Sequence, residues 1–149
     1  MATTIGKEDD LLESLENLIQ LDHDAVEAYE AAIDRLDDGG FSSQMRTFRD
    51  DHLRHIEQLS PVLAARGRSV PSGGDLKRFL TKGKVVLADM AGDKGILEAM
   101  RSNEEDTTTA YGRAAERADL DAEVRPLLQA AAADEGRHKS WIETTLDRL

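Results

Sequence analysis

The feature that most constrains this chain's fold is a seam of apolar and small residues, repeated at alternating three- and four-residue spacing along four long stretches. This spacing predicts amphipathic helices, each of which buries one face. Short turns join the first helix to the second and the third to the fourth, and short turns give antiparallel neighbours. The sequence therefore predicts an all-α fold, an antiparallel four-helix bundle built from two helix hairpins.

The hairpins are predicted at about 8–66 and 93–148, within a single domain that covers residues 1–149. Two glycines, Gly39 and Gly40, are expected to stop the first helix. Ser42 or Ser43 is expected to cap the second.

The crossover between the hairpins, residues 67–92, is long and carries apolar residues of its own. It is predicted to contain a short helix capped by Asp75. A basic cluster lies in and beside it: Arg66, Arg68, Lys77, Arg78, Lys82 and Lys84. We interpret this cluster as a solvated loop that balances an acidic chain, with a dedicated anion site as the alternative.

Ionisable residues interrupt every seam near its middle. There are six of them, and in a bundle they would meet at one level of the core: Asp22, His52, His55, Glu104, Glu135 and His138. Burying an unpaired carboxylate costs several kcal/mol, and a whole domain is stable by only about 5–15 kcal/mol. Divalent cations offset this cost, because carboxylate oxygens and neutral imidazole nitrogens are their ligands. The pattern predicts a metal site.

The two halves of the chain also repeat each other. The stretch "DHDAVEAY" aligns with "EEDTTTAY", which pairs Asp22 with Glu104 and Tyr29 with Tyr111. The stretch "DHLRH" aligns with "DEGRH". The separation from the Tyr to the final His is 26 residues in one half and 27 in the other. Two such halves, related by a pseudo-twofold axis, would place two half-sites face to face.

These motifs resemble the ferritin-like superfamily of di-metal carboxylate four-helix bundles. Its pattern is a Glu followed seven residues later by Tyr, then Asp-Glu-x-Arg-His on the next helix, with the unit present twice. The stretches "DEGRH" and "EEDTTTAY" match this pattern. The resemblance as a whole covers about residues 8–148. The chain looks most similar to small, uncharacterised bacterial ferritin-like proteins. The resemblance implies the six interrupting residues as metal ligands and an outer layer that supports them: Asp51, Asp134, Arg54, Arg137, Tyr29 and Tyr111.

Within that outer layer, Asp51 and Asp134 would orient the metal-bound His rings across the bundle, and the two arginines would hold these carboxylates. The tyrosines are either core residues with one hydrogen bond or participants in redox chemistry.

The N-terminal half departs from the family pattern. Asp22 replaces a Glu, and His52 replaces the Glu that would bridge two metals. A neutral imidazole has one lone pair and does not bridge two ions as a carboxylate does. We therefore expect a degenerate half-site, with one tight ion at Glu104, Glu135 and His138 and a looser second ion in the N-terminal half. Iron is the expected metal, and zinc or manganese could compete at a His-rich site.

Composition limits the classes of function. The net charge is −11, which disfavours contact with nucleic acid and anionic membranes. The lack of cysteine fits a reducing cytoplasm, and neither a signal peptide nor a membrane span is recognisable. We expect a cytoplasmic homodimer that binds metal and acts in iron oxidation or peroxide handling during stress, with weak ferroxidase or peroxidase-type activity. The alternative is a metal-free structural or interaction bundle whose polar layer consists of carboxylates paired with protonated His.

Overall fold

The computed structural model of the protein describes residues 3–73 and 92–149. These residues form four helices: α1 (Leu11–Arg35), α2 (Gly39–Ala65), α3 (Asp93–Ala115) and α4 (Val124–Asp147). Helix α1 packs on α2 and on α3, and α4 packs on α3 and on α2. The four helices therefore close into a ring around one core, and the prediction of an all-α four-helix bundle of two hairpins is confirmed.

Two apolar clusters show how the helices run. One cluster combines the first half of α1 with the last part of α2, the end of α3 and the start of α4, as Leu18, Leu63 and Leu128 illustrate. The other combines the opposite ends, as Met45 and Ile142 illustrate. Neighbouring helices are therefore antiparallel, and α2 ends at the opposite end of the bundle from the point where α3 begins.

The boundary between α1 and α2 differs from the prediction. Helix α1 ends at Arg35, before Gly39 and Gly40, and these glycines form the first turn of α2. The predicted caps, Ser42 and Ser43, lie inside α2 as well. The physical reason is Asp38, whose side chain accepts a hydrogen bond from the backbone N–H of Phe41 and so starts the helix earlier than either serine could. The glycines are not needed as a stop.

The predicted crossover helix, its cap Asp75 and most of the basic cluster (Lys77, Arg78, Lys82 and Lys84) lie outside the described residues. The two arginines that are described both contact carboxylates. Arg66 lies 2.8 Å from Asp121 and 3.0 Å from Glu123, and Arg68 lies 2.9 Å from Asp10. Within residues 3–73 and 92–149, no helix has the length and apolar character that a membrane span requires.

Candidate metal centre

The structure brings all six residues that interrupt the seams together between the two apolar clusters. None of these residues is more than 2% exposed. They come from all four helices, with one from α1, two from α2, one from α3 and two from α4: Asp22, His52, His55, Glu104, Glu135 and His138. The helical period explains the placement, since residues three or four apart share one helix face. Glu105, which follows a ligand candidate directly, is exposed.

Their donor atoms form two overlapping groups. One group contains Asp22, His52, His55 and Glu135, and the other contains His52, Glu104, Glu135 and His138. Within each group, one nitrogen or oxygen atom from every residue lies within 4.8 Å of the others. Because His52 and Glu135 belong to both groups, the two half-sites share their central residues.

The two histidines that end the repeated motifs are each held by an aspartate of the other hairpin. The Nε2 atom of His138, on α4, lies 2.8 Å from Asp51 on α2. Reciprocally, the Nε2 atom of His55, on α2, lies 2.8 Å from Asp134 on α4. A carboxylate only accepts hydrogen bonds, so each Nε2 carries a proton and each Nδ1 faces the cluster. This is the arrangement by which an outer carboxylate orients a metal-ligating imidazole.

Arginines connect the two outer aspartates. Arg54 donates to Asp51 at 2.8 Å and also to Asp134. Arg137 donates to Asp134 and lies 3.8 Å from Asp51. Both guanidinium groups are partly exposed, whereas the aspartates are nearly buried. The arginines thus close one side of the cluster and tie the two hairpins together.

The tyrosines of the repeat also cross between hairpins. Tyr29 on α1 donates its hydroxyl to Glu104 on α3, and Tyr111 on α3 donates to Asp22 on α1. Burial, reinforced by the neighbouring carboxylate, raises the pKa of both phenols well above the ordinary value. Both hydroxyls therefore remain protonated donors at neutral pH. Their seven-residue distance from the ligand on their own helix is about 10 Å, so the contacts require α1 and α3 to be antiparallel.

Burial and charge shift the pKa values of the inner residues in opposite directions. Burial raises the pKa of Glu135 to about 7, assisted by the negative charge of Glu104 and opposed by His52. Burial opposes the ionisation of Glu104, but His138 and His52 outweigh it and lower the pKa of this carboxyl well below the usual value. These opposite pKa shifts mean that Glu135 keeps its proton to a higher pH than Glu104 does.

The histidines and Asp22 follow the same logic. Burial alone would lower the pKa of His52 and His138, but the carboxylates around them raise it, well above the ordinary value for His52 and to about 9 for His138. The pKa of His55 is raised in the same way, chiefly by Asp22. Burial likewise opposes the ionisation of Asp22, yet hydrogen bonds from His52 and His55 lower its pKa.

A metal fits this cluster because several inner atoms have no hydrogen-bond partner among the described residues. These atoms are the Nε2 of His52, the Nδ1 of His138 and both carboxylate oxygens of Glu135. A buried polar atom without a partner costs about 1–3 kcal/mol. These four atoms lie close together and comprise two imidazole nitrogens and two carboxylate oxygens. Zinc, iron and manganese all bind ligands of these types.

Two residues that touch the cluster were not identified from the sequence. The Thr107 hydroxyl donates to Glu104 at 3.0 Å, and the Phe48 ring lies 4.2 Å from the ring of His138, centroid to centroid. Both are buried on the helix faces that also carry the ligand candidates, so the helical period accounts for their burial but not for their contacts. Trp141 packs edge-on against Phe48, with 5.8 Å between the ring centroids. His23 lies away from the cluster, beside Gly73.

The fold and the site together define a class, an all-α four-helix bundle with a buried carboxylate and histidine cluster that could hold a metal ion. The chain belongs to the family described as a domain of unknown function, DUF2383, whose model matches residues 10–117. The match covers α1 to α3 and four of the six inner residues, and it ends before α4. No curated protein matches the chain. No solved structure matches it either.

Proposed function

We propose that the protein is a ferritin-like protein that binds divalent metal inside its bundle, with ligands drawn from the six buried carboxylates and imidazoles. The observation that carries this proposal is the set of unpartnered buried atoms on His52, Glu135 and His138. A polar layer that served only to specify the fold would be expected to satisfy its own hydrogen bonds. Here the outer residues are satisfied and several inner atoms are not, as expected of side chains that ligate an ion.

Iron is the metal we propose first, with zinc and manganese as competitors. The donors are a mixture of imidazole nitrogen and carboxylate oxygen, and this mixture does not select strongly among these three metals. When bound, any of them supplies a Lewis acid, and iron or manganese adds one-electron chemistry. The reactions to test are therefore the oxidation of ferrous iron and the consumption of peroxide, in line with a role in stress response.

The chain's own residues would prepare the site for such a metal. Asp51 and Asp134 fix the orientation of two imidazole rings, because each accepts from an Nε2–H at 2.8 Å. Tyr29 and Tyr111 hold the carboxylates of Glu104 and Asp22 from the opposite hairpin. The apolar clusters on both sides keep the layer away from bulk water. Preorganised ligands of this kind lose little freedom when an ion enters.

The proposal is tested by removing metal from the purified protein with a chelator and then titrating Fe²⁺ without oxygen, Mn²⁺ or Zn²⁺. We expect saturable binding that raises the melting temperature, and we expect His138→Ala to lose most of it. The control is Glu143→Gln, which removes a carboxylate from an exposed position on the same helix. If none of the metals binds, the metal-free structural bundle is the correct alternative. If His138→Ala binds metal as well as the wild type, the buried cluster is not the binding site.

A further inference from the structure

The six buried residues differ in how many of their nitrogen and oxygen atoms already have hydrogen-bond partners within the protein. Asp22 accepts from His52 at 2.8 Å through Oδ1 and from Tyr111 through Oδ2, and its Oδ1 also lies 3.3 Å from His55. Both ring nitrogens of His55 have hydrogen-bond partners, since its Nε2 lies 2.8 Å from Asp134. The atoms with which Asp22 and His55 could ligate a metal are therefore already engaged in hydrogen bonds within the protein.

The second group is different. The Nε2 of His52, the Nδ1 of His138 and Oε2 of Glu135 have no hydrogen-bond partner among the described residues. The other oxygen of Glu135, Oε1, also has none, but it faces the first group, where it lies 3.4 Å from the Nδ1 of His52 and 3.5 Å from the Nδ1 of His55. Glu104 faces this group with Oε1, which lies 3.5 Å from the Nε2 of His52 and 3.7 Å from the Nδ1 of His138. The Nδ1 of His138 also lies 3.5 Å from Oε2 of Glu135.

These separations suit ligands of a single ion. Metal–ligand bonds of about 2.0–2.1 Å in a tetrahedral site place neighbouring donors about 3.3 Å apart. The separations of 3.5, 3.7 and 3.5 Å in this group lie close to that edge length. The 2.8 Å between Asp22 and His52 is instead an ordinary hydrogen-bond length. In the first group, Oε1 of Glu135 also lies 3.4 Å from the Nδ1 of His52 and 3.5 Å from the Nδ1 of His55. The hydrogen bonds therefore distinguish the two groups better than the distances between their atoms do.

His52 belongs to both groups, so the orientation of its ring determines which group it can serve as a metal ligand. Its Nδ1 lies 2.8 Å from the Asp22 carboxylate, which only accepts, so Nδ1 carries the proton. The lone pair of the neutral ring is then on Nε2, and this atom faces Glu104. His52 therefore serves the group in the C-terminal half, although it comes from the N-terminal half, and Asp22 orients it from behind.

We infer that the centre holds one divalent cation, ligated by His52, Glu104, Glu135 and His138, and that Asp22 and His55 support these ligands without holding a second ion. This inference rests on the proposed function and narrows it. A centre of two imidazoles and two carboxylates has no net charge around a divalent ion, and its four donors match the coordination number that zinc prefers.

The experiment counts ions. The metal-free protein is loaded with Zn²⁺, passed through a desalting column, and assayed for zinc per chain by mass spectrometry. Two variants form a matched pair, His52→Ala and His55→Ala, because both remove a buried imidazole from α2, one turn apart. We expect one zinc per chain in the wild type and in His55→Ala, and less than a tenth of that in His52→Ala. Asp22→Asn is expected to weaken zinc affinity about 10–100-fold without changing the count.

The outcomes separate the two proposals. Two zinc ions per wild-type chain, or loss of the ion in His55→Ala but not in His52→Ala, overturns the inference and leaves the proposed metal binding intact. No zinc, iron or manganese in any preparation overturns both. Helicity by circular dichroism verifies that each variant is folded. If His52→Ala does not fold, the ion count of the wild type, together with the visible spectrum of bound Co²⁺, which distinguishes four-coordinate from six-coordinate ions, still decides the question.

Discussion

Replacing Glu135 by methionine should make the metal-free protein more stable, although it removes a ligand. Glu135 is fully buried, and neither of its carboxylate oxygens has a hydrogen-bond partner among the described residues. Methionine has a similar length and volume, and it needs no partner. The substitution therefore relieves an unfavourable charge at the centre of the core without leaving a large cavity.

The magnitude follows from the pKa of Glu135. Burial raises this pKa from 4.5 to about 7, which corresponds to roughly 3 kcal/mol of unfavourable free energy for the ionised folded state. The sign is set by linkage: a carboxyl whose pKa is raised in the folded state destabilises the protein as pH increases from about 4.5 to 7, and fully above that. At pH 8 we expect Glu135→Met to gain about 2 kcal/mol, because even a volume-conserving exchange in a packed core costs about 1 kcal/mol. For a chain of this size the gain is roughly 4–8 °C in melting temperature.

The measurement is urea unfolding of chelator-treated protein at pH 8 and at pH 5.5, followed by circular dichroism. The gain should shrink to below about 1 kcal/mol at pH 5.5, where most of the wild-type carboxyl is protonated. Glu143→Met is the control, because this glutamate lies on the same helix and is exposed, and its effect should stay within about 0.5 kcal/mol. A loss of more than about 1 kcal/mol in metal-free Glu135→Met at pH 8 would refute the reasoning and show that the polar layer holds the fold together.

Three further predictions concern the residues around this carboxylate. The metal-free protein should lose stability as pH rises from about 6.5 to 9. The pKa of His138 is raised to about 9 in the folded state, so its protonated ring stabilises the fold fully only below the unfolded pKa of 6.5. Urea unfolding across this pH range tests the sign, and a free energy of unfolding that does not change with pH contradicts it. Tyr29→Phe should cost about 1–3 kcal/mol in urea unfolding, since it leaves a Glu104 oxygen without its donor; an effect under 0.5 kcal/mol would show that the hydroxyl is dispensable. Asp51→Asn should weaken metal affinity about 10–100-fold in competition with a chelator, since it disturbs the orientation of His138; unchanged affinity would remove Asp51 from the outer shell.

The sequence was sufficient to predict which faces of the helices are buried. The spacing of His52 and His55, or of Glu135 and His138, is that of one helical face, and this face has no alternative to the core when the rest of the seam is apolar. Glu104 is buried and the next residue, Glu105, is exposed, as a helix with one buried face requires. The fold class followed from the same periodicity and from the short turns, because these features are local.

The start of α2 could not be predicted with the same success because two local signals competed. Two glycines after a helical stretch are a common stop, and the serines after them are good caps. Asp38 lies just before the glycines and supplies its carboxylate to the N–H of Phe41. Once this bond forms, the glycines are helical. The choice between these caps depends on how the two helices meet.

The contacts between side chains of different helices could not be predicted from the sequence either. The repeat aligned His52 with Glu135 and so assigned each to its own half, but the rotamer of His52 directs Nε2 towards Glu104 of the other half. Likewise, the spacing of Tyr29 from Asp22 gives their separation along α1, whereas the contact of Tyr29 with Glu104 depends on the register of α1 against α3. Such pairings are set by tertiary packing rather than by periodicity.

The most direct test of a metal centre in this bundle is an anomalous-difference map from a crystal of protein loaded with zinc, with data collected on both sides of the zinc absorption edge. We predict a single strong peak among the Nε2 of His52, the Nδ1 of His138 and the carboxylates of Glu104 and Glu135. A map with no peak between the two apolar clusters, or with zinc only at surface carboxylates, would contradict the account.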